Sequence, residues 1–290
     1  MNKDVDDVKP AQQKASMDEL VKIFQNVQVD ELRSQALLDL LKYRETFPDF
    51  ACYIWYSFGT MSAIISEIVS IYPALANNNV SSIQSHQICG CLTLMQCVAS
   101  HPQTKHHFFS AQLPLYLYPF LSVPASNSTA IEFLRLTAIG VLGAMVKGED
   151  KDVLQYLLRN DILPLCLRII ETCSELPRNV STFIIHKILS YEEGLNNLCS
   201  TPEKFFAITT VLKKILENEK QDISPRLFKH ILRCYYKLGQ HPSARQSLKV
   251  VLPQCLLTCL NTGFYDNLMQ QDQLIYSLIQ KILDLTFEND

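Results

Sequence analysis

Apolar residues recur at every third or fourth position through most of this 290-residue chain, and they nowhere alternate singly as a half-buried strand requires. Between residues 131 and 147, Leu134, Ala138, Val141 and Met145 fall on one stripe of a 3.6-residue helix. Leu227, Ile231, Cys234 and Leu238 do the same between residues 224 and 239. The pattern predicts helices over 18–27, 30–45, 50–72 with a break near Gly59 and an end at Pro73, 86–100, 131–146, 178–189, 224–238 and 271–285. Asp18 and Asp30 open the first two, since an aspartate before a helix accepts a free backbone N–H.

The long helices keep a beat. Their predicted ends, Val98, Val146, Leu189 and Leu238, are 48, 43 and 49 residues apart. Pro114, Pro164 and Pro253 lie 50 and then 89 residues apart, and each marks the start of a helix, where a missing N–H costs nothing. That period belongs to armadillo and HEAT units of two or three helices. The fold expected is all-α, an armadillo-repeat α-solenoid forming a superhelix of about six repeats. It is expected to occupy residues 16–290 as one domain, after a disordered arm at 1–15 that is polar and carries Asp4, Asp6 and Asp7.

Composition adds three constraints. With 48% apolar and 19% charged residues the chain is able to bury a large core. No N-terminal stretch has the zones of a signal peptide, and no uninterrupted apolar run reaches the length of a membrane span, so a soluble intracellular protein with no membrane partner is expected. The ten cysteines form no C-x-x-C pair and mostly sit in apolar helical stretches, which reads as small buried hydrophobes in a reducing compartment.

The net charge of −3 argues against a generally basic nucleic-acid binder, yet residues 204–249 hold ten Lys or Arg against Glu217, Glu219 and Asp222. Four of these cations, Arg226, Lys229, Arg233 and Lys237, share one stripe of the 224–239 helix. Such a ridge suits single-stranded nucleic acid or an acidic partner, and it equally suits a plain solvated helix face. No aromatic residue is interleaved on it for base stacking. On the 131–147 helix, Phe133, Gly140 and Ala144 make a second face, a ring beside residues of little or no side chain. This face fits either a helix sandwiched in the core or a shallow trough for the apolar side of a partner's helix.

Catalytic sets are absent. There is no G-x-S-x-G elbow and no glycine-rich phosphate loop; Gly140 and Gly143 lie mid-helix. His101, His106 and His107 have no thiol or carboxylate at a ligand spacing along the chain, so neither metal nor cofactor is expected.

Longer strings carry a resemblance. Trp55-Tyr-Ser-Phe-Gly-Thr60, Leu94-Met-Gln-Cys-Val-Ala-Ser-His-Pro102, Leu115-Tyr-Leu-Tyr-Pro-Phe-Leu121, Glu132-Phe-Leu-Arg-Leu-Thr137, Leu165-Cys-Leu-Arg168 and Ser224-Pro-Arg-Leu-Phe-Lys-His-Ile-Leu-Arg-Cys-Tyr235 resemble the "required for cell differentiation" family, the armadillo-repeat subunit of the CCR-NOT messenger-RNA deadenylase complex. The likeness runs from about residue 17 to 256 and fades after Cys259. It implies a non-catalytic adaptor that works in cytoplasm, decay granules and nucleus, held by the large Not scaffold subunit. Its concave face would take short amphipathic helices of RNA-binding regulators. Phe133, Gly140 and Val180 align with that face, and Phe133 replaces a tyrosine. The family also captures tryptophans of silencing adaptors. This chain departs there, with Pro202 and Lys204 where the family has Tyr and Arg, and the Lys lacks a planar stacking group. Nucleic-acid binding has been proposed for the family as well, and dimerisation is left open.

Overall fold

The computed structural model describes residues 8–124, 128–148, 150–219, 222–262 and 265–287, and every regular element among them is helical. The helices group into two compact units, 1–145 and 146–290.

The first unit holds α1 (Val8–Asn26), α2 (Asp30–Leu40), α3 (Phe50–Tyr56), α4 (Thr60–Ser70), α5 (Tyr72–Ala76), α6 (Ser82–Ser100), α7 (Pro102–Ser110), α8 (Tyr118–Ser122) and α9 (Thr129–Val146), with 3-10 turns at Leu41–Tyr43 and Leu113–Leu117. Helix α1 begins inside the segment read as an arm; residues 1–7 lie outside the described residues. The break near Gly59 is a left-handed residue with φ of 72°, and the two helical stretches on either side of it meet at 85°. Gln28 Nε2 donates to the Phe58 carbonyl across 2.8 Å, so a Cβ on Gly59 would meet Gln28 Oε1 at 2.4 Å. Glycine is the residue that satisfies both demands. Pro73 opens the short α5 in place of ending a longer helix.

Helix α6 is the centre of this unit and packs against α2, α3, α4 and α7. A capping box starts it: Gln84 N–H donates to Ser81 Oγ and Ser81 N–H to Gln84 Oε1. Leu92, Leu94, Met95 and Val98 are fully buried. It stops at His101, whose ring in turn accepts the Gln103 N–H to cap α7, with Pro102 in the first turn. Helix α9 is tied to the loop before it by the buried Arg135, which donates to the carbonyls of Val123 (2.8 Å) and Pro124 (2.9 Å) and pairs with Glu132. By length and composition α9 would pass as a membrane span, but Leu134, Ala138, Val141 and Met145 have no exposed surface, as in a helix packed within a core.

The second unit holds α10 (Lys151–Arg159), α11 (Ile162–Thr172), α12 (Glu175–Ser190), α13 (Glu192–Cys199), α14 (Pro202–Glu219), α15 (Pro225–Gln240), α16 (Pro242–Val251), α17 (Gln254–Thr262), α18 (Asp266–Gln271) and α19 (Gln273–Phe287). Here α12 packs between α11 and α15, and α15 packs on α12, α16 and α19. Ser224 caps α15, and its stripe of Leu227, Ile231, Cys234 and Leu238 is fully buried. Each Leu and Ile of that stripe contributes about 1.5–3 kcal/mol through lost apolar surface.

The predicted beat appears in the pairing of helices. Within the first unit Ser85 Oγ donates to Ala130 O and Thr137 Oγ1 lies 3.4 Å from Cys89 Sγ, links spanning 45 and 48 residues. Within the second, Lys214 reaches Glu171 and Lys229 reaches Asp272, each across 43. A neighbour one repeat downstream is the signature of stacked helical layers. Ends of α6, α9, α12 and α15 fall within two residues of those predicted, and Pro114, Pro164 and Pro253 lie at or beside helix starts. All ten cysteines are free; five are buried and five half-buried, so the hydrophobe reading fits half of them outright.

Candidate functional site

On α9 the face opposite the buried stripe is open. Phe133 is 57% exposed, and Thr137, Gly140 and Ala144 follow it along the helix, each partly accessible. With α6 this face encloses a groove of ≈ 420 Å³, walled by Ser85, His86 and Cys89 on one side and Ala130, Phe133 and Thr137 on the other. Two of its hydroxyls bond within the protein: Ser85 donates to the Ala130 carbonyl at 2.8 Å, and Thr137 donates to the Phe133 carbonyl at 2.8 Å and lies 3.4 Å from Cys89 Sγ. Toward solvent stand the Phe133 ring, the exposed Ser82, His86 and Thr129, and the half-buried Cys89 thiol, whose pKa burial pushes up. A methyl group added to Gly140 meets no atom within 4 Å, so the trough continues past the groove along α9.

Val180 belongs to the second unit. It is half-buried on α12, on the face that carries the exposed Leu176 and the half-buried Phe183. Phe183 stands beside the cationic helix: its ring lies 5.5 Å from that of His230 on α15, and His230 lies 6.3 Å from His186 on α12. Burial, then the charge of Arg233, pushes His186 down to about 3 and His230 down to about 4, so both are neutral at pH 7.

The four cations of α15 do share one side of the helix, with Arg226 exposed and Lys229, Arg233 and Lys237 half-buried. The ridge is nevertheless interrupted. Lys229 Nζ donates to Asp272 Oδ2 at 2.7 Å, and Asp272, held below the usual carboxylate range first by that bond, caps α19 through the Leu274 N–H. Asp272 is 43 residues downstream, so no reading of the helix alone would find it.

Pro202 is the exposed first residue of α14, and Lys204 is its third, its ammonium donating to Asn197 Oδ1 at 2.9 Å. Lys204 borders a pocket of ≈ 100 Å³ with Pro164 and Leu198, room for about three waters at liquid density and too small for an indole.

The histidines divide. His106 and His107 are exposed and make ring contacts, His107 stacking on Trp55 at 5.7 Å between centroids. His101 has partners that its sequence neighbourhood hid: the fold sets Cys52 and Asp49 beside its ring.

A profile described as "Cell differentiation family, Rcd1-like" matches residues 23–285. The chain is 49% identical over 222 residues to Protein CAF40 of Saccharomyces cerevisiae (strain ATCC 204508 / S288c), covering 76% of this chain and 59% of that protein. It is 43% identical over 224 residues to Cell differentiation protein rcd1 of Schizosaccharomyces pombe (strain 972 / ATCC 24843), covering 77% and 79%. Among solved structures it is similar to a designed armadillo repeat protein, YIII(Dq.V1)4CPAF in complex with peptide (KR)4, with a TM-score of 0.65 at 14% identity over 92% of this chain and 99% of the other. A second design, YIII(Dq)4CqI, gives 0.66 at 14% over the same shares. At such identity the likeness shows the fold, an armadillo-repeat α-solenoid.

Proposed function

The chain belongs to the Rcd1-like cell differentiation family, and we propose that it is a non-catalytic docking subunit of the CCR-NOT deadenylase complex, held by the large Not scaffold and recruiting RNA-binding regulators for messenger-RNA decay and translational repression in cytoplasm and nucleus. The observation that supports it best is the groove beside the exposed Phe133 ring, in which the Ser85 and Thr137 hydroxyls bond within the protein and whose trough extends past Gly140. A groove of that kind suits the apolar face of one amphipathic helix, with anchors at i, i+3 and i+4 and the Phe133 ring as the central contact. Phe133, in place of the tyrosine that the resemblance implies, keeps the ring surface. Tryptophan capture at Pro202 and Lys204 has less support, because the pocket is small and the ammonium is engaged.

The test is affinity purification from cells of the tagged chain and of a Phe133→Ala, Gly140→Phe double variant, read by mass spectrometry. Phe133 is exposed and a Cβ at Gly140 meets no atom within 4 Å, so the fold accommodates both changes. Both baits are expected to recover the Not scaffold, and only the unmodified bait should recover RNA-binding regulators, their yield falling about tenfold or more in the variant. Recovery without scaffold peptides removes the complex assignment, and equal recovery of regulators removes the groove.

A further inference from the structure

Two side chains close in sequence and a third 49 residues on meet where α3 begins and α6 gives way to α7. Asp49 is the residue before α3, Cys52 lies in its first turn, and His101 both ends α6 and caps α7. His101 Nδ1 is 3.7 Å from Cys52 Sγ, and His101 Nε2 is 3.9 Å from Asp49 Oδ1. One donor atom from each residue lies within 4.8 Å of the other two. Gln103 Oε1, at 3.1 Å from the same sulfur, adds an oxygen. We propose that Asp49, Cys52 and His101 form a binding site for a divalent transition-metal ion, zinc by ligand type, with Gln103 or a water in the fourth position.

The donor set is the first argument. Thiolate, imidazole and carboxylate together suit zinc and its neighbours, whereas magnesium and calcium take oxygen ligands. Spacing is the second. Donor atoms around a tetrahedral zinc sit about 3.5 Å apart, so the cluster needs to contract by roughly 1 Å. Asp49 and Gln103 are exposed and free to rotate inward, while Cys52 and His101 are fixed by the helices they begin or end. The same three groups also compose a thiol–imidazole–carboxylate nucleophile. Two features disfavour that role: burial and then the Asp49 charge push the Cys52 thiol up, and its S–H is directed at Gln103 Oε1. A divalent cation reverses that penalty, because coordination replaces the S–H proton, which leaves to solvent, and the metal charge satisfies Asp49.

The experiment uses the purified, chelator-stripped full chain titrated with cobalt(II) and then with competing zinc(II). One equivalent should give a thiolate-to-cobalt band in the near ultraviolet and the visible bands of tetrahedral cobalt, both removed by zinc, with a melting temperature raised by a few degrees. Cys52→Ser should abolish the thiolate band. Asp49→Asn and His101→Asn should each weaken binding about tenfold or more, the latter keeping an acceptor to cap α7. Affinity should rise with pH as one thiol proton is released per ion. The proposal is overturned if the unmodified chain shows no band at saturating cobalt, or if Cys52→Ser leaves the band unchanged, since another of the ten cysteines would then be the ligand.

Discussion

Lys229 and Asp272 are joined by a 2.7 Å ion pair whose partners are each about three-tenths exposed, 28% and 29%. It connects the cationic face of α15 to the start of α19, where the other Asp272 oxygen receives the Leu274 N–H at 2.9 Å. One charge of a four-cation ridge is thereby answered from within the protein. That leaves Arg226, Arg233 and Lys237 to carry any electrostatic attraction for phosphate.

Replacing Asp272 by Asn keeps the cap and frees the Lys229 ammonium. If the ridge touches the phosphates of a single strand, Asp272→Asn should tighten binding of a single-stranded oligonucleotide and steepen log K against log salt by about 0.7, one further counterion released. The stability cost should stay within about 1 kcal/mol, as for other partly exposed pairs. Filter binding across a salt series checks the slope, and an unchanged slope removes Lys229 and its ridge from the nucleic-acid reading.

Two glycines should respond in opposite directions to the same substitution. Gly140→Ala adds a methyl where nothing lies within 4 Å, inside a helix where glycine is about 1 kcal/mol worse than alanine, so denaturant unfolding should show a gain of roughly 0.5–1 kcal/mol. At Gly194, near the start of α13, the added carbon would fall 2.1 Å from the Ile188 carbonyl oxygen, a backbone atom at the end of α12. Gly194→Ala should therefore cost about 1–3 kcal/mol, as overpacking does. Equal effects at the two sites would mean that the open face of α9 is covered.

What could be read before folding was what is local. Caps, prolines and the 3.6-residue period are written within one helix, so the ends near Val98, Val146, Leu189 and Leu238, and the buried stripes of Leu134 and Leu227, were legible. The open face of Phe133 and Gly140 was legible as a pattern, but whether a helix covered it depends on neighbours. What stacking brings together was not legible: Asp272 reaches Lys229 across 43 residues, and His101 reaches Cys52 across 49, one repeat away in each case. Separations of a full repeat carry no fixed spacing rule, because loop lengths between layers vary. The first turns of α1, begun at Val8, were hidden by a polar composition that reads equally as an arm.

The two neutral histidines between α12 and α15 make the second unit acid-sensitive. His186 is pushed down to about 3 and His230 to about 4, by burial first and then by Arg233, with Lys187 and Lys237 adding to the former and Arg226 and Lys229 to the latter. The Nδ1 atom of each is buried without a hydrogen-bond partner among the described residues, so a proton there finds cations nearby and no acceptor. In the unfolded chain both rings titrate at their ordinary value near 6.5. Below that pH the unfolded state binds protons that the folded state refuses, and stability falls as pH drops, continuing toward about 4 for His230 and about 3 for His186. Above about pH 7 the contribution is fully present and flat. Denaturant midpoints should therefore decline between pH 7 and pH 5, with a limiting slope of about 1.4 kcal/mol per pH unit for each histidine. His230→Phe, which keeps a ring beside Phe183, should remove about half of that decline, and the His186→Phe, His230→Phe double variant most of it. A double variant as acid-sensitive as the unmodified chain would show that these rings are solvated and that the pH response arises elsewhere.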